Sequence, residues 1–167
     1  QQVFSKGIYV KDDPHRLRGW GSAMFTGSGL PTRPMDFVND GTLTSFFLGL
    51  ESARRLGFPL KDITGGPSNL TIEPGALSKT QLLDGIKDGF YVTSVMGHGV
   101  NIANGDYSRA ASGFWIKDGV LTHPVAEATI AGNLKDMFMN MTAASDLDRS
   151  KGTKRAPTLR VEGMTIA

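Results

Sequence analysis

The sequence of 167 residues lacks several features that would assign it to a class of protein. The first of these is cysteine, which is absent. A chain without cysteine forms no disulfides and supplies neither thiolate metal ligands nor a thiol nucleophile. Charge of one sign is also scarce, because 18 Lys and Arg oppose 16 Asp and Glu for a formal net charge of +2. This balance is a poor electrostatic footprint for nucleic-acid binding. No apolar run approaches the ~20 residues of a membrane span, so no membrane partner is predicted.

Recognisable catalytic signatures are missing as well. The sequence contains no G-x-S-x-G, no Walker A motif and no H-E-x-x-H. Its three histidines, His15, His98 and His123, are isolated from one another, so a metal site would have to be assembled in space. The sequence therefore indicates no catalytic residue, no metal ligand and no cofactor in this chain.

Glycine, in contrast, is abundant: 21 of the 167 residues, against a usual share of about 7%. This number predicts many turns and close backbone approaches. The chain starts with Gln1-Gln2-Val3 rather than with a methionine. We therefore expect residues 1–167 to be one domain cut from a longer protein.

Two hairpins carry the clearest local signals. Asp40-Gly41 and Asp118-Gly119 each lie between strand-like residues, and both positions of an Asp-Gly turn adopt positive φ readily. The flanking strings Val38-x-Asp-Gly-x-Leu-Thr and Ile116-x-Asp-Gly-x-Leu-Thr match closely. The match fits either an internal duplication or two independent hairpins with the same turn chemistry, and the second reading is favoured.

Further elements follow from composition and capping. Strands are expected at residues 69–72, 90–95 and 158–166, with a bulge at Gly163 in the last. Helices are expected at residues 51–56, from the Ser78 capping box to Gly89, and after Asn133 through Met141. These patterns predict an α+β fold of mainly antiparallel β-sheets with about three short helices, and leave open whether the sheets curl toward a barrel.

The densest polar cluster spans residues 97–112, in a Gly-rich segment between two predicted strands. Long polar loops on a rigid sheet are where binding sites tend to lie. The alternative is a connection that is bonded internally, with Asp106 and Arg109 as a surface ion pair. The residues alone leave both readings open for six side chains of this segment: His98, Asn101, Asn104, Asp106, Tyr107 and Arg109.

A second polar stretch, residues 146–156, carries four basic side chains and is expected to be a mobile surface loop. Such a cluster can contact phosphates, but solvated charges on a loop are the more common case.

Several long strings resemble the C-terminal domain of the TldD/PmbA family. The most specific are the G-D-Y-S-R string within residues 99–119 and the T-I-A-G-N-L string within residues 123–138. Shorter matches are residues 27–33, 52–57 and 156–166. The resemblance therefore covers nearly the whole chain from about Gly19.

The resemblance implies a cytoplasmic peptidase system in which TldD-like and PmbA-like subunits pair and trim peptides or unfolded proteins. It implies that the TldD-like subunit carries zinc on an H-E-x-x-x-H helix of its N-terminal domain, completed by a C-terminal cysteine. This chain reads Lys151-Gly-Thr-Lys-Arg155 where that cysteine is expected, and so sides with the PmbA-like (TldE-like) branch. It departs from that branch at Ala110, where Gly is usual, and at His98, where Gln is common.

The resemblance thus predicts the C-terminal domain of a non-metal subunit of a zinc metalloprotease. Its partners would be a TldD-like subunit that bears the zinc and a peptide or unfolded-protein substrate. For such a substrate, the six side chains singled out between His98 and Arg109 become candidates for peptide binding. Because the family was historically called a modulator of DNA gyrase, a nucleic-acid or gyrase-associated binding module is one alternative. A purely structural oligomerisation domain, which pairs with a second copy of this chain or with another subunit, is another.

Overall fold

The computed structural model describes residues 1–148 and 152–167. Its strands are β1 (Val10–Asp12), β2 (Met35–Asn39), β3 (Thr42–Leu43), β4 (Leu70–Ile72), β5 (Asp88–Met96), β6 (Asp106–Lys117), β7 (Val120–Asn133), β8 (Met141–Ala143), β9 (Lys154–Arg155), β10 (Leu159–Val161) and β11 (Thr165–Ile166). Its helices are α1 (Leu50–Leu56), α2 (Lys79–Asp84) and α3 (Leu134–Met139), with a 3₁₀ turn at Leu60–Asp62.

The strands form three sheets. The orders are β3-β2-β1-β4-β9, β10-β8 and β11-β7-β6-β5. In the part of the chain that the structure describes, every strand pair is antiparallel except β4 with β9. The α+β prediction with mainly antiparallel sheets and three short helices is confirmed. Within the described residues each sheet stays open rather than closing into a barrel.

Both Asp-Gly turns form as the sequence predicts. The φ angles are 47° and 76° at Asp40-Gly41, and 47° and 78° at Asp118-Gly119. Two positive φ values in succession define the turn whose twist matches that of antiparallel strands. The first turn joins β2 to β3, and the second joins β6 to β7 in a different sheet.

The helices begin where the caps predict, but two of them end early. Ser78 accepts a hydrogen bond from the N–H of Gln81 in the capping box of α2, and Asn133 accepts one from Lys135 at the start of α3. Helix α2 stops at Asp84, because the backbone carbonyls of residues 86 and 87 accept hydrogen bonds from the β6–β7 turn. The donors are the N–H groups of Gly119 and Asp118. Met141, predicted in the third helix, lies in β8 opposite Val161.

Strand lengths differ most from the sequence expectation in the four-stranded sheet. β6 begins at Asp106 and β7 continues to Asn133, although Ala, Ser and Gly in these segments give little intrinsic strand preference. Pairing along the hairpin decides their conformation instead.

The closing residues 158–166 were expected as one bulged strand. They divide at Gly163, whose φ is 79°, into β10 and β11, which pair with strands of two different sheets. Lys154–Arg155, expected within the loop 146–156, form β9 beside β4. Arg149 and Lys151 of that basic cluster lie outside the described residues.

Buried apolar side chains form two small clusters. One contains Ile8, Met141 and Ala143 and joins the first strands to the end of the chain. The other contains Leu48, Ala53 and Ile63, beneath α1. No helix of the described residues is long and apolar enough to cross a membrane.

The side chain of Asn69 is fully buried and fixes the long connection between β1 and β2. Its Nδ2 donates to the Asp13 carbonyl at 2.7 Å and to Ser22 Oγ at 3.0 Å. Its Oδ1 accepts from the Gly21 N–H at 3.1 Å. A loop without its own backbone ladder needs such partners, because unpaired polar groups are costly to bury.

Replacing Asn69 with Ala is expected to destabilise the protein by about 3 kcal/mol, because the donor and acceptors of this connection lose buried partners. Urea unfolding monitored by circular dichroism measures the change. Asn39→Ala, at an exposed strand end, is the matched control and should stay within about 0.5 kcal/mol of wild type. Equal effects of the two substitutions would show that Asn69 does not hold the connection.

Asp12, at the end of β1, is a buried carboxylate. Ser68 donates its N–H to the two Asp12 oxygens at 2.9 and 3.1 Å. Desolvation by burial nevertheless raises the pKa of Asp12 above its usual value of 3.8, and it outweighs these hydrogen bonds. The folded state therefore holds the Asp12 proton more tightly than the unfolded state does.

This raised pKa predicts a pH dependence that Asp12→Asn removes. The stability from protonated Asp12 is fully present below pH 3.8 and is lost as the pH rises through the folded pKa. The unfolding free energy of wild type minus that of Asp12→Asn should fall over this interval and then stay constant. Urea titrations of both proteins at successive pH values test it. A difference that rises with pH would mean that the Ser68 hydrogen bonds outweigh burial.

Candidate functional site

The six candidate residues lie on the connection between β5 and β6 and on the first residues of β6. His98, Asn101 and Asn104 are on the connection, and all three are exposed. Asp106, Tyr107 and Arg109 belong to β6, whereas the sequence suggested a loop as far as residue 112. The candidates are therefore brought together along one strand end and its adjoining turn.

Hydrogen bonds of its own close this connection into a tight turn. The Asn101 N–H donates to the Asp106 carbonyl, and the Gly105 N–H donates to the Asn101 carbonyl, both at 2.8 Å. The Asn101 side-chain oxygen accepts from the Ala103 N–H at 3.0 Å. Asn101 is thus already used to shape the turn.

Asn133, which the sequence indicated only as a helix cap, links the turn to the end of β7. Its Nδ2 donates to the Asn104 carbonyl at 3.1 Å and to Asp106 Oδ1 at 3.4 Å. Asn104 Nδ2 donates to Asp106 Oδ2 at 2.6 Å. The Leu134 N–H donates to the Gly105 carbonyl at 2.7 Å, so the first residue of α3 holds the same turn. Only the register of Asp106 opposite Asn133 reveals this role.

Asp106 and Arg109 do not form the ion pair that the sequence left open. Neither residue takes part in a salt bridge among the described residues. The reason is strand geometry, because residues three apart on a strand point to opposite faces of the sheet. Asp106 binds the asparagines, and Arg109 lies on the other face.

Arg109 is half-buried, and its guanidinium has no partner within residues 1–148 and 152–167. It lies opposite Ile130, on the face that also carries the buried Ala111. Its Nε is buried without a hydrogen-bond acceptor, and no side-chain hydrogen bond from Arg109 is found in the described part of the chain. A charged donor removed from water and left unpaired carries a free-energy penalty. The two Nη atoms of Arg109 are not among the buried unpaired atoms, so they, rather than Nε, are free to donate to an oxygen acceptor from outside this chain.

The glycines of the segment serve the chain itself more than a ligand. A Cβ at Gly99 would lie 1.5 Å from the Ser108 carbonyl oxygen, and one at Gly105 would lie 2.8 Å from Asn133 Oδ1. Among the three glycines of this connection, Gly97 alone has open space around its missing side chain. Close approach of a peptide backbone is thus available at Gly97.

The histidines do not form a metal site with their surroundings. His15 Nε2 lies 3.0 Å from Thr32 Oγ1, His123 Nδ1 lies 3.2 Å from Thr122 Oγ1, and exposed His98 has no side-chain partner in the described ranges. Across residues 1–148 and 152–167 no group of three or more histidine or acidic side chains could hold a metal ion. These residues do not fit a zinc centre of their own.

Gly105→Ala tests how tightly Asn133 holds the turn, with Gly97→Ala as its control. Both glycines have positive φ, 88° and 86°, so both substitutions strain the backbone similarly. Only the methyl group added at Gly105 would also clash with Asn133. Gly105→Ala should therefore cost at least about 1 kcal/mol more than Gly97→Ala in urea unfolding. Equal costs would show that Asn133 moves aside freely.

Comparison with known sequences points to one family. The sequence model described as the PmbA/TldA metallopeptidase C-terminal domain matches residues 1–167. The chain is 39% identical over 168 residues to metalloprotease PmbA of Escherichia coli O157:H7, covering 98% of this chain and 37% of that protein. It is 36% identical over 168 residues to a PmbA homologue of Haemophilus influenzae, and the match covers 100% of this chain and 37% of that protein. The chain thus spans less than two fifths of the length of these curated relatives.

Solved structures share its fold. A putative modulator of DNA gyrase from Bacteroides thetaiotaomicron aligns with a TM-score of 0.90 and 28% identity, over 100% of this chain and 38% of that one. A second putative modulator of DNA gyrase, from Thermotoga maritima, aligns with a TM-score of 0.87 and 31% identity. This alignment covers 100% of this chain and 40% of that one. TldE from Thermococcus kodakarensis aligns with a TM-score of 0.84 at 22% identity, over 100% and 41%, and supports the fold alone. The match over the whole chain and these relatives confirm the resemblance: the chain belongs to the PmbA/TldA metallopeptidase C-terminal domain family.

Proposed function

We propose that this domain acts in a non-metal, TldE-like subunit of a zinc metalloprotease that trims peptides or unfolded proteins in the cytoplasm. In this proposal a TldD-like partner binds the zinc and cleaves the peptide. The domain contributes the wall of the chamber, a surface that faces the peptide, and part of the subunit interface. Hydrolysis by zinc needs about three protein ligands and an activated water, and the described residues offer no such set.

The unpaired guanidinium of Arg109 is the observation that carries this proposal. The nearby amide and acidic candidates have partners within the chain: Asn101 in its turn, and Asn104 with Asp106. Arg109 is held half out of water with its Nε unsatisfied. A peptide carboxylate or carbonyl oxygen is the acceptor that a guanidinium binds well, in a bidentate pair where geometry allows.

The free edge of β5 supports the same surface. In the described residues β5 pairs with β6 alone, so its nine residues leave one row of backbone donors and acceptors unpaired. No charged residue or proline protects the edge between Gly89 and Met96, although soluble proteins usually guard such edges. An extended peptide that adds to this edge would gain backbone hydrogen bonds with little dependence on its sequence. Such binding suits a peptidase of loose sequence preference.

The other two readings predict different behaviour. A nucleic-acid or gyrase-associated module would bind DNA with affinity that falls steeply with salt, yet the net charge of +2 offers few phosphate contacts. A purely structural oligomerisation domain would use the β5 edge for a second copy of this chain. Neither reading explains why Arg109 is left without an acceptor.

Arg109→Ala in the complex assembled with a TldD-like subunit tests the proposal. Peptide turnover should fall, because the substrate loses a charged contact. The free energy of unfolding should stay within about 1 kcal/mol of wild type, because Arg109 has no partner to lose inside the chain. Metal analysis of the separated subunits should find the zinc on the partner.

The matched control is Arg54→Ala, an exposed arginine near the end of α1. It removes the same charge away from the β5–β6 connection and should leave turnover unchanged. If Arg109→Ala unfolds the domain, or blocks assembly without a separate effect on turnover, Arg109 is structural and the peptide-facing surface is refuted. Stoichiometric zinc on this chain would refute the non-metal assignment.

A further inference from the structure

Two neighbouring side chains of β6, Tyr107 and Arg109, share one face of the four-stranded sheet. Residues two apart on a strand point to the same side, and β6 pairs with β7 without a register shift from Asp106 to Ala111. Both side chains are half-buried, and within the ranges that the structure describes neither forms a hydrogen bond or an ion pair. A hydroxyl and a guanidinium on one face are two donors for the same anion, such as a carboxylate.

The strands beside this pair supply no acceptor side chain. Across β7, Tyr107 faces Gly132 and Arg109 faces Ile130. Asp106 is adjacent in sequence, but it points to the opposite face and accepts from Asn104. The two donors therefore keep their capacity for a carboxylate from another molecule.

A bulge opens the way from Arg109 to the free edge of β5. The regular pairing of β5 ends at Met96, and pairing with β6 resumes where Val100 lies opposite Tyr107. Three residues on this side therefore face two residues of β6, one of which is Arg109. Gly97 follows Met96 in the bulge, with a φ of 86° and open space around its missing side chain. No side chain at Gly97 separates Arg109 from a peptide strand at this edge.

Arg109 is long enough to act across β5. Neighbouring strands lie about 4.8 Å apart, so a peptide strand added beyond β5 would lie about 9.6 Å from β6. An extended arginine side chain spans more than half of this distance, and an aspartate or glutamate on the same face of the peptide spans the remainder. The Nη atoms of Arg109, which are not among the buried unpaired atoms, would make the contact.

An apolar position lies next to this charged one along the edge. Val95 pairs with Ala111, which lies two residues after Arg109 on β6, so Val95 is on the same face as the guanidinium. Its side chain is 39% exposed although it is large and apolar. A peptide side chain that covers Val95 would gain hydrophobic burial.

We propose that the β5 edge selects peptides in which an acidic residue is followed, two positions later, by an apolar one. The acidic side chain accepts from Arg109 and Tyr107 beside Gly97, and the apolar side chain covers Val95. Antiparallel pairing, which is the more stable per residue, sets this order, because the peptide runs opposite to β5. The carboxyl terminus of such a peptide points toward Asp88 at the start of β5, so the carboxylate at Arg109 belongs to a side chain.

This inference rests on the β5 edge of the proposed function and adds which peptides that edge prefers. Fluorescence anisotropy tests it with the peptide Ala-Glu-Thr-Val-Thr-Ala, acetylated, amidated and labelled with a neutral fluorophore, so that only the glutamate is charged. The protein is used at its natural length without a metal-bearing partner, so binding is measured in the absence of turnover. The glutamate peptide should bind at least about 5-fold more tightly than the same peptide with glutamine.

Three variants locate this preference, each checked for folding by circular dichroism. Arg109→Gln keeps hydrogen-bond donors but removes the charge, and should bring the two affinities within about 2-fold of each other. Tyr107→Phe removes the second donor and should lower the preference by at least about half. The matched control, Arg54→Gln near the end of α1, makes the same change away from the edge and should keep the full preference.

Four results overturn the inference. They are equal binding of the glutamate and glutamine peptides to the wild-type protein, a preference that persists in Arg109→Gln, tighter binding of the reversed peptide Ala-Thr-Val-Thr-Glu-Ala, and a glutamine peptide with a free carboxyl terminus that binds as tightly as the glutamate peptide. Equal binding of all peptides would leave the edge as a general peptide site and remove only this preference. Absence of all binding would remove the edge from the proposed function as well, so the two failures are distinguishable.

Discussion

The amide of Asn69 supports the part of the molecule around the five-stranded sheet. The connection between β1 and β2 is more than twenty residues long and forms no strand ladder. The Asn69 side chain forms hydrogen bonds with Asp13, Gly21 and Ser22 at the same time. Its backbone carbonyl accepts from Arg16 Nη2 at 3.4 Å. The path of the chain around Arg16, and hence the place of its buried Nη1, follows from this one fully buried side chain.

Asn133 performs the same task in the other large sheet. It caps α3 with its oxygen and holds the β5–β6 connection with its nitrogen. An amide is suited to both positions because it offers donors and an acceptor from one planar group. In each sheet an amide side chain therefore holds a long or Gly-rich connection in place through hydrogen bonds. Rigid connections can present charged groups at fixed places, which is what selective binding requires.

Two arginines share an unusual feature, since Arg16 and Arg109 each hold one buried nitrogen without an acceptor among the described residues. Buried polar atoms of native proteins are nearly always paired. Arg16 lies beside the carboxylates of the five-stranded sheet, and Arg109 lies opposite Ile130 in the four-stranded sheet.

The sequence by itself determined the local elements and the family. The Asp-Gly turns, the Ser78 capping box and the Asn133 cap depend on contacts within a few residues, which composition and spacing reveal. The long strings within residues 99–138 placed the chain in its family, because such strings are specific in themselves. About three short helices and mainly antiparallel sheets followed from the same signals.

Tertiary structure alone decided which residues are free to bind. Asp106 and Arg109 are close in sequence, yet strand alternation separates them, and Asn133 takes the carboxylate that sequence reasoning offered to Arg109. The extent of β6 and β7 came from pairing rather than propensity, and so did the division at Gly163. Register and burial depend on contacts across tens of residues, which periodicity in the sequence does not encode.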